Sequence, residues 1–309
     1  MRYFNTVSEA RSYLENHPAL LARAERAALK VARDYRVPFT DPVILASRSN
    51  LLLHLRPAPV VARVALATAI LRPDVREFLA REVAVAGFLA MRGARAVPPS
   101  QEIPPGPHEM RGQVMSFWRF VEPAPDRQPS VAAAAEALQE LHGALRDFPG
   151  ELPYLPPPLV EIPRLLDRIE RRGDVPASDL ALLREAWERL APVLRSPARP
   201  VQALHGDAHL RNLIPTAGGL LWNDFEDTCS GPVEWDLACF CWPLSEGREA
   251  ALAAYGAGAP TLEDLAPWLA ARELQGTVWL AAMAPLFPDR RARAEEMLAR
   301  WRRGGGHLG

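Results

Sequence analysis

From Leu204 to Asn212 the chain reads Leu-His-Gly-Asp-Ala-His-Leu-Arg-Asn, and Asp224-Phe225 follows twelve residues later. Asp207, Asn212 and Asp224 are three oxygen-bearing side chains of the types that phosphoryl transfer from a nucleotide requires. In that reaction the attacking and leaving oxygens lie roughly in line and the transferred group carries dispersed negative charge. The protein therefore mainly positions groups and supplies electrostatics. One carboxylate must accept or orient the proton of the attacking hydroxyl, which suits Asp207. An amide oxygen and a second carboxylate must hold Mg²⁺ against the phosphates, which suits Asn212 and Asp224. Magnesium takes hard oxygen ligands and keeps waters and substrate phosphates in its shell, so two protein ligands suffice.

The neighbouring sequence supplies the elements that such a site needs. Val201 to Leu204 is a short apolar run suited to a buried strand, and Gly206 permits a tight backbone turn beside the carboxylate. Leu213-Ile214 begins a second strand, Ala217-Gly218-Gly219 is a hairpin signal, and Leu220-Leu221-Trp222 is a third run ending at Asn223-Asp224. A loop carrying Asp207 and Asn212, followed by a hairpin delivering Asp224, would bring the three oxygens together. Asp and Asn are common in turns for local hydrogen-bonding reasons, so either half alone would say little. It is the coincidence of both halves that speaks for chemistry.

The five-residue interval from Asp207 to Asn212 is that of the Asp and Asn in the protein-kinase catalytic loop, and Asp224-Phe225 falls where the metal-binding D-F-G would stand. His205-Gly206-Asp207 with Asn212, then Asp224-Phe225-Glu226-Asp227, then Gly231-Pro232-Val233-Glu234-Trp235-Asp236-Leu237-Ala238 together resemble the aminoglycoside phosphotransferase and choline kinase superfamily. The resemblance implies an α+β, protein-kinase-like two-lobed fold. A small β-rich nucleotide-binding lobe with N-terminal helices is expected over residues 1–118, and a larger, mostly helical catalytic and acceptor-binding lobe over 119–309. It implies transfer of the terminal phosphoryl group of ATP or GTP to a hydroxyl of a small molecule. A catalytically silent relative that binds nucleotide or a partner is the alternative, and the complete Asp207, Asn212 and Asp224 set argues against it.

Periodicity and turn residues predict helices over 7–16 and 18–35, then strands at Val43 to Leu45, Asn50 to Leu55 and Val60 to Val64. A helix follows over 73–91, with Pro73 at its start, then a strand at Gln113 to Trp118 and a Pro-rich connector over 121–129. Further helices are predicted over 131–147, 161–172, 178–195, 235–255, 262–283 and 289–303.

The nucleotide site departs from the kinase pattern. A phosphate cradle normally needs glycine so that backbone amides approach closely, yet no glycine precedes Gly87. Ser47-Arg48-Ser49-Asn50 is the corresponding turn, to be read either as a cradle of hydroxyl, amide and backbone donors (Ser47, Ser49, Asn50) or as a plain polar turn. Kinases pair a lysine on the third strand with a glutamate on the next helix. Here Lys30 is the only lysine and is predicted on an N-terminal helix, so Arg63 with Glu82 is the matching pair, bringing two-pronged geometry in place of a point charge.

Other residues carry open readings. His205, Asp207 and His209 mimic a zinc set, but zinc would leave Asn212 and Asp224 unexplained; bracing of the loop suits His205 better. Glu226 and Asp227 read as tuning groups or as solvated acids. Asp236 reads as a stabiliser of the catalytic loop and of its own helix N-terminus.

Composition narrows the classes. The 309 residues, 49% hydrophobic, suffice for one large or two ordinary domains, and a net charge of −1 gives no reason to expect nucleic acid as a partner. Cys229, Cys239 and Cys241 are too few and too clustered for a disulfide framework and are expected as buried small hydrophobes. No signal peptide or apolar run of spanning length is visible, which points to a cytoplasmic enzyme without a membrane partner. Glu234 follows Asp224 by an interval of only ten residues, too short for the activation segment that a protein substrate needs. Residues 201–275 hold eleven acids against three arginines, which would favour a cationic acceptor if those acids line the cleft. Trp235, Trp242, Trp268 and Trp279 fit either a core or a stacking surface for a sugar or ammonium group.

Overall fold

In the computed structural model, residues 17–304 are described, apart from Arg48, Pro125, 197–199, Ser245 and 288–289. The helix predicted over 7–16 lies outside them. The described chain groups into two compact units, one running up to Gln128 and taking in Leu213–Glu226, the other holding Pro129–Asn212 and the chain from Asp227 onward.

The first unit begins with helix α1 (His17–Asp34), followed by β1 (Phe39–Ser47), β2 (Asn50–Pro57) and β3 (Val60–Ala65). Short α2 (Ala67–Leu71), long α3 (Val75–Met91), β4 (His108–Met110) and β5 (Gln113–Arg119) complete it. The strands form one antiparallel sheet in the order β1-β2-β3-β5-β4. All six residues of β3 are buried, as a central strand rich in β-branched residues should be. Its register sets Arg63 between Leu52 on β2 and Ser116 on β5. Ala24, Ala27, Ala28 and Val31 recur at helical spacing on α1 and join Leu51, Leu53, Val60, Val64 and Phe117 in the core. Their small side chains let the helix lie close on the sheet. The strands expected around 43–45, 50–55, 60–64 and 113–118 are present; α2 and the three-residue β4 are too short to carry a periodic signal.

The second unit is mostly helical: α4 (Val131–Leu145), α5 (Ile162–Arg172) after a π turn, and α6 (Ala177–Arg195). Strand β6 (Gln202–Leu204) leads into the loop that ends at Asn212. The hairpin β7 (Leu213–Thr216) and β8 (Gly219–Trp222) belongs to the first unit, where Trp222 pairs with Ala96. The chain returns to the second unit with β9 (Cys229–Gly231), antiparallel to β6, then α7 (Glu234–Cys241), α8 (Arg248–Tyr255), α9 (Leu262–Met283) and α10 (Arg291–Arg302). Helix α9 starts at a Thr261/Asp264 capping box and packs against α5, α6, α7 and α10, so it is buried around much of its girth.

One predicted helix is two. The chain from 235 to 255 breaks between α7 and α8 because Pro243 offers no backbone N–H and Gly247 takes a left-handed φ of 82°. Arg248 covers the carbonyls so exposed, donating from Nε to Cys241 and Leu244 at 3.1 and 3.0 Å. Among the described residues no helix is long and apolar enough to cross a membrane.

Candidate active site

In the second unit the loop after β6 is fixed from beneath by the start of α7. Asp236 is fully buried and accepts the backbone N–H of His205 and of Gly206, each at 2.8 Å. It also meets His142 Nε2 at 3.0 Å. A carboxylate only accepts, so the His142 proton sits on Nε2, and Nδ1 accepts from the Tyr255 hydroxyl at 2.7 Å. The Trp235 indole donates to the Gly206 carbonyl at 2.8 Å. Gly206 itself turns through a φ of 88°. Buried partners thus hold the backbone on the N-terminal side of Asp207, while Asn212 ties its far side by donating Nδ2 to the Asp207 carbonyl at 2.9 Å. Because its amide nitrogen faces the loop, the oxygen is what Asn212 can offer a cation.

The Asp207 carboxylate is half-buried. Its Oδ1 accepts from Arg272 Nη2 at 2.5 Å, and its Oδ2 lies 3.4 Å from His209 Nε2. Burial pushes the carboxyl up, but Arg272, then His209 and His205, outweigh it and hold Asp207 well below the usual carboxylate range. The group is therefore ionised throughout the neutral range.

The first unit builds its own charged cluster around Arg63 on β3. Arg63 Nη1 donates to Glu82 on α3, and Nη2 donates to Glu226 and, at 2.6 Å, to Asp224. Arg72, also buried, reaches Glu226 at 2.7 Å, and Asn50 Nδ2 donates to Glu226 at 3.0 Å. Burial disfavours the charged guanidinium of Arg63, yet Asp224, Glu82 and Glu226 outweigh this and raise its pKa further. The guanidinium groups of Arg63 and Arg72 thus face the carboxylates of Glu82, Asp224 and Glu226. The open carboxylate is Asp224, whose side chain is 42% exposed while those of Glu82 and Glu226 are buried. Asp224 also has a φ of 66°, a left-handed conformation that Asp tolerates better than most residues. Its exposed carboxylate oxygen is the hard type of ligand that a divalent cation takes.

The residues expected at the site are distributed between the units. Asp207 and Asn212 stand on one loop of the second; Asn50, Arg63, Glu82 and Asp224 share the cluster of the first. Ser47 ends β1, and the Ser49 carbonyl accepts the N–H groups of Leu66 and Thr68, tying the turn to α2. Among the described residues no three His, Cys, Asp or Glu side chains gather as a metal-holding group, so His205, Asp207 and His209 do not form the zinc set their spacing mimics. Glu226 is no solvated acid: it binds two arginines. Arg272 and Arg72 carried no motif. The one available signal was that Arg272 continues the apolar stripe of Leu265, Trp268 and Leu269 at helical spacing, where a charge needs a partner.

The family model of the phosphotransferase enzyme family matches residues 70–274. The chain belongs to this family. No curated protein matches the sequence. Among solved structures, a choline/ethanolamine kinase family protein from Mesorhizobium loti is 20% identical, with 90% of this chain and 93% of that one covered and a TM-score of 0.62. An amicoumacin kinase in complex with AMP-PNP, Ca²⁺ and Ami is 13% identical over 94% and 97% of the two chains, with a TM-score of 0.70. Choline kinase LicA from Streptococcus pneumoniae is 15% identical over 89% and 99%, with a TM-score of 0.62. The antiparallel sheet of the first unit and the helices of the second thus make a kinase-like fold of the aminoglycoside phosphotransferase and choline kinase superfamily. Membership makes the protein a phosphotransferase.

Proposed function

We propose that this phosphotransferase moves the terminal phosphoryl group of ATP or GTP to a hydroxyl of a small metabolite, with Mg²⁺ as cofactor. The observation that carries the reading is the loop holding Asp207: backbone groups on both sides are pinned by buried partners, and the carboxylate is held ionised. Such fixation is what a reaction dependent on positioning requires. Asp207 accepts the proton of the acceptor hydroxyl as its oxygen bonds to the terminal phosphorus and the nucleoside diphosphate leaves with the electron pair of the broken P–O bond. Asn212 and Asp224 are the residues that would hold the metal, in keeping with their hard oxygens. A divalent cation held there would neutralise charge gathering on the phosphates. Arg63, gripped by Glu82 and Glu226, takes the place of the usual lysine beside the nucleotide, with Ser47, Ser49 and Asn50 at the turn where a Gly-rich loop would stand.

The family resemblance leaves the acceptor open among aminoglycosides, amino sugars, choline-like amines and other compounds, and the acids of 201–275 favour a cationic one only if they line the cleft. In the fold Glu234, Asp236 and Glu273 are buried, and Glu246, Glu249, Glu263 and Asp264 are exposed at loops and helix starts. That basis for a cationic acceptor is therefore withdrawn.

The test is release of ADP and GDP with Mg²⁺ over an acceptor panel, with Asp207→Ala as the blank. Acceptor-stimulated release that the variant loses, with nucleotide binding retained, is the expected result. Equal release from both proteins would overturn the assignment, and tight nucleotide binding with no transfer to any acceptor would favour the silent relative.

A further inference from the structure

Arg272 bears on the choice of acceptor, and its role there rests on the kinase reading above. The residue stands on α9, 9% exposed, with Nη1 donating to Gln275 at 2.7 Å and Nη2 to Asp207 Oδ1 at 2.5 Å. Its Nε is buried and has no hydrogen-bond partner among the described residues. The same is true of Nδ1 of His209, whose Nε2 faces the other Asp207 oxygen. Two unsatisfied buried polar atoms therefore flank the carboxylate that would receive the acceptor hydroxyl. Nε and Nη2 of an arginine form a fork matched to two oxygens of a carboxylate or phosphate. Asp207 fills one prong and leaves the other open. Buried donors are costly to leave unmade, so a ligand oxygen that completes the fork is favoured.

Two nearby indoles are already engaged. The Trp242 ring already faces the Arg272 guanidinium, 5.8 Å from its centroid, and Trp235 is fully buried with its N–H committed to Gly206. Asp207 and Asp227 are the carboxylates that act electrostatically on Arg272. They offset its charge without filling its open N–H.

We infer that the acceptor carries an anionic oxygen group, a carboxylate or a phosphate, close to the hydroxyl that is phosphorylated, and that Arg272 seats this group. Arg272 is a specificity-determining residue in this scheme; the proton passes to Asp207.

The experiment compares acceptors of similar size and different charge: glycerate and glycerol 3-phosphate, uncharged glycerol, and cationic 3-amino-1-propanol and choline. Nucleoside diphosphate release is followed with Mg²⁺ in wild type, Arg272→Lys and Arg272→Met. Release stimulated by the anionic members is expected, and their relative rates separate carboxylate from phosphate. Arg272→Lys keeps a charge beside Asp207 but loses the fork, so the KM of the anionic acceptor should rise about tenfold or more while the nucleotide KM stays unchanged. Arg272→Met should raise it further, and thermal melting shows whether either variant has lost its fold. Turnover of cationic or neutral acceptors alone, or an equal fall in kcat for every acceptor in Arg272→Lys, overturns the inference and leaves the kinase reading standing. No turnover in any class, with Mg-nucleotide bound, overturns both.

Discussion

Gly206 and Asp227 approach so closely that a Cβ on the glycine would lie 1.8 Å from the Asp227 carbonyl oxygen. The φ of 88° at Gly206 adds a conformational demand that an L side chain meets poorly. Gly206→Ala therefore cannot be accommodated by a rotamer change; one of two backbone segments has to move. The left-handed conformation alone costs roughly 1–2 kcal/mol. The expected outcome is a lowered melting temperature together with a fall in kcat of about 100-fold, because displacing the neighbouring Asp207 by about 1 Å is enough for such a loss. Full activity in a folded Gly206→Ala variant would show that the loop has slack the structure does not display.

Asp236 separates loop support from chemistry. Its two oxygens take two backbone N–H groups and His142 Nε2. Asp236→Asn turns one acceptor into a donor, so one of these three donors faces another N–H. A buried donor left unmade costs roughly 1–3 kcal/mol. Stability should fall by that order in urea titration, and kcat should fall with the nucleotide KM little changed. A large rise in nucleotide KM instead would place Asp236 in nucleotide binding.

Arg63 makes a contrasting case, a buried charge with three carboxylate partners. Arg63→Met would take a buried cationic partner from both Glu82 and Glu226, and breaking such a network costs about 3–5 kcal/mol. Arg63→Lys keeps the charge but reaches fewer partners from one point. It should fold, with a nucleotide KM raised about tenfold. A lysine variant that binds nucleotide as well as wild type would show that charge alone, without the fork, serves this position.

Much of this was legible in the residues. The strand-loop-hairpin order around Asp207, the sheet strands and the Arg63–Glu82 pair follow from alternation, turn residues and motif spacing, which are local signals. Asp236 as a loop stabiliser could be inferred because it sits in the motif at Gly231–Ala238. What stayed hidden was non-local. Arg272 lies 65 residues from Asp207, and Arg72 lies 154 from Glu226. No period or spacing in the chain records such pairings. The break between α7 and α8 was visible in Pro243 and Gly247 but was overridden by the apolar residues on either side. The surplus of acids misled because a count says nothing of where each carboxylate points.

The three cysteines give a prediction that depends on pH. All are buried; burial pushes the Cys241 thiol up to about 11, with Arg248 pulling part of the way back, and pushes Cys239 well above its ordinary value. Cys239 also donates its S–H to the Gly206 carbonyl at 3.8 Å, a contact that needs the neutral thiol. Native protein at pH 8 should therefore resist a thiol reagent, and all three thiols should react in denaturant. The sign of the stability effect is set by proton counting. Above about pH 9 the unfolded thiols lose protons that the folded ones keep, so the unfolded state binds fewer and stability falls as pH rises. For Cys241 the stabilisation is complete below that point and is lost progressively toward about pH 11, an effect of roughly 2–3 kcal/mol. Urea midpoints measured from pH 8 to 11 should decline less steeply in Cys241→Ala than in wild type. Parallel declines would mean that Cys241 ionises in the folded protein as readily as in the unfolded chain.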